Sequence, residues 1–146
     1  MRNAILLVED NPNDEKLTLR AFKKSNIENE IVTARDGEEA LDYLLGTDQT
    51  QEARALPALV LLDLNLPRVS GLEVLRRLRA DERTKHLPIV ILTSSKEDED
   101  IVNGYALGAN AYVRKPVEFS QFIDAARTLG LFWLLMNERG AQTLTP

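Results

Sequence analysis

The stretch LVLLDLNLP, Leu59 to Pro67, decides the reading of this chain. Leu59 to Leu62 is a short unbroken apolar run, the pattern of a strand covered on both faces, since a half-exposed strand would alternate. The run ends in Asp63, with a leucine on each side. A carboxylate belongs in water, so one set at the end of a hydrophobic strand calls for a reason.

Outward from this stretch, short apolar runs alternate with amphipathic segments. Ala4 to Val8 is a buried-strand candidate followed by the turn residues Glu9 to Asn13, and Pro12 suits the first turn of a helix running to about Lys24. Glu30 to Ala34 reads as a second strand, and Asp36-Gly37 turns into a helix ending near Gly46. After Leu59 to Leu62 the pattern predicts a helix from about Ser70 to Ala80 and a strand over Ile89 to Leu92. A helix near Asp98 to Leu107, a strand over Ala111 to Arg114 and a long helix from about Glu118 follow. Five strand–helix units of this size predict an α/β fold, a doubly wound parallel sheet with right-handed crossovers and helices on both faces.

The 146 residues suffice for one domain with a real core and are too few for two ordinary ones. There is no cysteine, which excludes disulfides and thiolate metal sites and fits a reducing compartment. No segment is apolar for the roughly 18 residues that a membrane span requires, and the N-terminus lacks a signal-peptide pattern. A cytoplasmic protein without membrane contact is the expectation. The net charge of −5 opposes a nucleic-acid partner, which needs a clustered basic face. Arg76, Arg77, Arg79 and Arg83 cluster locally, on what the spacing makes the solvent side of a helix. His86 is expected in an exposed loop, and Thr47 to Pro57 as a polar surface excursion.

In an open doubly wound sheet the site lies beyond the carboxyl ends of the strands. There stand Glu9 and Asp10 after the first strand, Asp63 after the third, Thr93 after the fourth and Lys115-Pro116 after the fifth. Three carboxylates on one rim cannot all stay ionised without counter-charge. A hard divalent cation supplies it, and Mg²⁺ commonly takes one or two carboxylates while keeping several waters. Lys115 adds a positive charge for a bound anion and Thr93 a hydroxyl, the parts of a phosphoryl site, where catalysis is mostly positioning and charge neutralisation. Without cysteine, and with one histidine in a loop, the nucleophile would be a carboxylate, and Asp63 is the natural candidate. Thr93 and Ser94 are also candidate caps for the following helix; one of Ser94 and Ser95 is expected to do that while Thr93 meets phosphate.

The motifs VEDN (Val8 to Asn11), LLDLNLP (Leu61 to Pro67) with Gly71 following, LTS (Leu92 to Ser94) and YVRKP (Tyr112 to Pro116), each after its own strand, resemble the receiver domain of bacterial two-component response regulators. The resemblance runs from about Asn3 to Arg127. It implies a flavodoxin-like (βα)5 fold with strand order 2-1-3-4-5. It also implies that Asp63 is the phosphoacceptor, loaded from a phosphohistidine on a sensor histidine kinase in a phosphorelay. Asp10 would bind Mg²⁺ (or Mn²⁺) directly together with Asp63, Glu9 would act largely through water, and Asn65 would offer its backbone carbonyl. Thr93 and Lys115 would contact the phosphoryl oxygens, with a cis peptide at Lys115–Pro116. Tyr112 holds the aromatic switch position, coupled to Thr93, and partners would read the face of the fourth helix, fifth strand and fifth helix.

The last helix continues through RTLGLFWLLMNERG, Arg127 to Gly140, with apolar residues nearly all round. Residues 1–128 read as the receiver, and 129–146 as a helical extension and tail with no output domain. The middle connector and the ending GLFWLLMNE resemble the stand-alone regulators that accompany bacterial phytochrome-type sensor kinases. A homodimer through the fourth-helix to fifth-helix face is expected, with Phe132, Trp133, Leu135 and Met136 taking part; the competing arrangement folds the extension back on its own domain.

Two other functions compete. An aspartate-nucleophile phosphohydrolase shares the carboxylate, hydroxyl, lysine and Mg²⁺, but generally carries a second aspartate two residues after the nucleophile. Here that position is Asn65, which cannot act as an acid–base catalyst. A nucleotide or flavin carrier would need a phosphate-binding loop after the first strand, where VEDNPND places negative charge instead. The leading expectation is a phosphoacceptor switch that signals through protein contacts, as effector, relay or phosphate sink; beyond accepting phosphate and slowly losing it, it is no enzyme.

Overall fold

The computed structural model describes residues 4–24, 29–46, 56–94, 96–104 and 108–128. In chain order these form β1 (Ile5–Val8), α1 (Pro12–Lys24), β2 (Ile31–Ala34), α2 (Gly37–Leu45) and β3 (Leu59–Asp63). α3 (Gly71–Ala80), β4 (Ile89–Thr93), α4 (Lys96–Gly104), β5 (Ala111–Arg114) and α5 (Phe119–Thr128) complete the order. The strands make one parallel sheet in the order β2-β1-β3-β4-β5, so the chain reverses its direction of travel at β1 and β3.

The period of two along each strand sorts the core into two layers. Ile5, Leu7, Leu59, Leu61, Val90, Leu92 and Val113 pack with Phe22 of α1 and with Phe122 and Ala125 of α5. Leu6, Val8, Val60, Leu62, Ile89 and Ile91 pack on the other face against α2, α3 and Val102 of α4. β1, β3 and β4 are buried at every position, which is why their sequence runs apolar without alternation. Phe22 and Phe122 meet in a tilted pair with ring centroids 4.6 Å apart, joining α1 to α5.

Local chemistry sets the helix starts. The Asp36 side chain accepts from the Glu39 N–H at the head of α2, and the Ser70 side chain accepts from the Glu73 N–H at the head of α3. Gly71 lets α3 approach the rim: a Cβ there would lie 2.2 Å from the Asp63 carbonyl oxygen and 2.6 Å from Leu64 Cα.

Three expectations shift. α4 begins at Lys96, two residues before Asp98; the acids Glu97, Asp98 and Glu99 fill its first turn, where the helix dipole favours negative charge. Arg79 is not a solvated residue. It donates to the carbonyls of Thr84, Lys85, Leu87 and Gly108 and to Asn110 Oδ1, at 2.8 to 3.3 Å, and burial lowers its pKa. Arg83 is exposed as expected but lies past the end of α3, where it reaches across to the Leu45 carbonyl at 2.6 Å; Arg76 and Arg77 are exposed as expected and pair with Glu73. His86 is exposed. Most of the Thr47 to Pro57 connector, the extension after Thr128 and, within it, Phe132, Trp133, Leu135 and Met136 lie outside the described residues.

Candidate functional site

Strand register builds the site. Val8 pairs with Leu62 and Asp63 with Leu92, while Thr93 pairs with Arg114, one residue before Lys115. Glu9, Asp63 and Lys115 each stand two residues past a core aliphatic of the α1–α5 layer: Leu7, Leu61 and Val113. The alternation that buries those aliphatics therefore carries the next residue on that face into the rim. Hydrogen bonds continue the ladder past the strand ends, from the Glu9 N–H to the Ala34 carbonyl (3.0 Å) and from the Lys115 N–H to the Thr93 carbonyl (2.8 Å).

Glu9 and Asp63 are buried, and Asp10 beside them is exposed. One carboxylate oxygen from each of the three lies within 4.8 Å of the others. Lys115 Nζ lies 3.0 Å from Asp63 Oδ2, 3.2 Å from Glu9 Oε1 and 3.0 Å from Asp14 Oδ2. The other Asp63 oxygen, Oδ1, accepts from the Asn65 backbone N–H at 3.1 Å, and Glu9 Oε2 accepts from the Asn11 N–H at 3.2 Å.

The charges are unequal in their comfort. Burial, with the neighbouring Asp63 carboxylate adding to it, pushes the Glu9 pKa up to about 7 against the opposing pull of Lys115. Burial alone would lower the Lys115 pKa, but hydrogen bonds to Asp14 and Asp63 and the charges of Asp63 and Glu9 outweigh it, and the net shift is upward. Lys115 is thus a firmly held cation. Three hard oxygen donors, one open to solvent, with two buried carboxylates sharing a single lysine, fit a divalent cation.

Of the remaining residues singled out in the sequence, Thr93 is buried and its Oγ1 has no hydrogen-bond partner among the described residues. Its hydroxyl is desolvated without compensation, which suits a ligand oxygen more than the interior. Ser94 is exposed, its backbone N–H donating to Asp98 Oδ2 at 3.2 Å, and Ser95 lies outside the described residues. The Lys115–Pro116 peptide is cis. Tyr112 stands apart from the acid cluster: it is half-buried, and its hydroxyl donates to Asn103 Oδ1 of α4 at 2.6 Å.

Asp14 is the residue that motif reading missed. Pro12 opens α1, and Asn11 Oδ1 accepts from the N–H groups of Asn13 and Asp14, so Asp14 falls on the first helical turn, facing the rim. The signal was present in VEDNPND, in which an acid follows Asp10 by four residues across a helix start.

Residues 5–127 match the family described as the response regulator receiver domain. The chain belongs to the response regulator receiver family. It is 35% identical over 130 residues to the response regulator Rcp1 of Synechocystis sp., covering 89% of this chain and 88% of that one. Among solved structures it is similar to the bacteriophytochrome response regulator AtBRR, with 53% identity, a TM-score of 0.85 and coverage of 94% of this chain and 99% of that one. The phosphorylated cyanobacterial phytochrome response regulator RcpA gives 38% identity and a TM-score of 0.70, with 92% and 95% covered. The Mn²⁺-bound form of Rcp1 gives a TM-score of 0.70, with 90% and 94% covered. As a receiver the chain is a member of two-component signalling, and no helix among the described residues is long and apolar enough to cross a membrane.

Proposed function

We propose that this chain is a stand-alone response regulator that accepts a phosphoryl group on Asp63 from a histidine kinase and signals through protein contacts in the cytoplasm. The observation that carries the reading is the placement of Asp63: buried at the end of β3, 3.0 Å from Lys115 and within the reach of one cation from Glu9 and Asp10. An Asp63 carboxylate oxygen attacks phosphorus, a P–O bond forms, the P–N bond to the kinase histidine breaks, and the leaving imidazole takes a proton from water. Lys115 offers N–H donors to the phosphoryl oxygens, and the desolvated Thr93 hydroxyl is available as another. The Asn65 N–H steadies the second Asp63 oxygen. Mg²⁺, held by Asp10 and Asp63 with the Asn65 carbonyl and with Glu9 through water, would neutralise charge on the transferring group.

The Tyr112 side chain supports a readout on the α4–β5–α5 face. Its hydroxyl is tied to α4 through Asn103, and a hollow of about 400 Å³ beside it is lined by Glu99, Arg114, Gln121 and Asp124. AtBRR and RcpA, named as phytochrome-associated regulators, support a phytochrome-type kinase as the phosphate source. The apolar tail composition supports a homodimer using α4, α5 and Phe132 to Met136. Sedimentation of a chain ending at Thr128 tests the dimer; an unchanged monomer–dimer balance refutes it.

Phosphotransfer from candidate kinases to wild type and Asp63→Asn tests the central reading. Labelling should vanish in the variant, and equal labelling of the two proteins would overturn the assignment.

A further inference from the structure

The resting partners of Lys115 raise a question that phosphoryl acceptance leaves open. An ammonium has three N–H donors, and here three carboxylates surround it: Asp63, Glu9 and Asp14. A lysine so engaged has no donor to spare for an incoming phosphoryl oxygen. One of the three partners must release it.

The three are not equivalent. Asp63 gives up its charge on the oxygen that becomes phosphorylated, and Glu9 belongs with Asp10 and Asp63 to the oxygen cluster that fits a cation. Asp14 belongs to neither group. It sits on the first turn of α1, its N–H held by the Asn11 cap, and a carboxylate there is favoured by the helix N-terminus. It is also the most accessible of the half-buried lysine's three partners, with its side chain 29% exposed against 4% for Asp63 and 0% for Glu9. Water can therefore take over its lone pairs when the lysine leaves.

We propose that Asp14 is a positioning residue that holds Lys115 toward α1 in the resting site and competes with the phosphoryl group for it, so that it restrains loading of Asp63. The inference rests on Asp63 as phosphoacceptor. By it, the acid on the first turn of α1 sets how readily the site accepts phosphate, without touching the transferring group.

The test follows loading of the full chain with phosphoramidate and Mg²⁺, read as phosphoprotein by intact mass. Asp14→Asn keeps the shape and removes the charge, and should load roughly three- to tenfold faster, the effect of one charge-assisted hydrogen bond partly screened by water. Asp14→Glu keeps the charge on the same turn and should stay near the wild-type rate. Glu15→Gln removes the same charge one residue further on, where the carboxylate pairs with Arg35 at 2.8 Å and not with Lys115, and should also leave the rate unchanged. An unchanged rate in Asp14→Asn overturns the proposal. So does an equal acceleration in Asp14→Glu, which would assign the effect to shape, or in Glu15→Gln, which would assign it to net charge. A wild type that loads at a site other than Asp63 overturns the phosphoacceptor reading and this one with it. Loading at Asp63 that is indifferent to Asp14 overturns this one alone.

Discussion

Lys115 and Arg79 sit at opposite ends of one sheet, each a cation surrounded by oxygen. Arg79 lies below the amino ends of β4 and β5 and, among the described residues, donates to neutral acceptors, four backbone carbonyls and the Asn110 amide. Lys115 follows β5 at the carboxyl end and faces three carboxylates. Neutral acceptors fixed in the backbone hold Arg79 in place, and burial lowers its pKa. Anionic partners raise the pKa of Lys115, and an incoming phosphoryl oxygen would compete with them for its N–H donors. One cation closes loops and the other is arranged for exchange, and substitutions at the two ends should separate these roles.

The largest effect should come from Lys115→Ala. Loss of one preorganised donor from a phosphoryl site costs about 10²–10³ in rate, so initial labelling of Asp63 by a small phosphodonor should fall by that much. Lys115→Arg should recover little, because a planar fork does not replace a compact ammonium among three converging acids. A Lys115→Ala protein that labels at the wild-type rate would break the comparison at its functional end.

Arg79→Ala should act on stability alone. It strips donors from the Thr84 to Leu87 loop and from the Gly108 to Asn110 turn at once, and should cost about 3 kcal/mol in urea unfolding, the range for losing several hydrogen bonds to a charged group. Labelling per folded molecule should not change. Reduced labelling at unchanged stability would show that the two ends are coupled.

The site was more legible in the sequence than the clamp was. Asp63, Glu9 and Lys115 follow from alternation, since each extends a buried aliphatic by two residues, and strand ends can be read from local pattern. The doubly wound architecture was legible for the same reason, because the β1, β3 and β4 runs lack alternation. The strand order came from the family resemblance, and pairing depends on contacts far apart in sequence. Arg79 and Asp14 escaped because their partners are also distant: Gly108 and Asn110 are 29 and 31 residues from Arg79, and Lys115 is far along the chain from Asp14. A helical wheel placed Arg79 with its exposed neighbours Arg76 and Arg77, and nothing in its own segment says that two loops turn their carbonyls toward it.

The smallest effect sharpens the comparison from the acidic side. Glu9 is buried and held to a pKa of about 7, against 4.5 for an ordinary glutamate. Between those values the metal-free folded protein keeps a proton that the unfolded chain has lost, so stability falls as pH rises through this window. Above pH 7 the folded protein carries the full penalty of the buried carboxylate, and below about 4.5 both states are protonated and the penalty is gone. Glu9→Gln should therefore stabilise the metal-free protein at pH 8, by on the order of 1 kcal/mol, with the gain shrinking toward zero by pH 4.5. Thermal unfolding in chelator across that range checks the sign. Mg²⁺ at pH 8 should then raise the melting temperature of the wild type more than that of the variant, because the cation gives Glu9 the counter-charge that Lys115 divides among three acids. A Glu9→Gln gain that is flat with pH would mean that amide packing, and not carboxylate crowding, sets the energy of this rim.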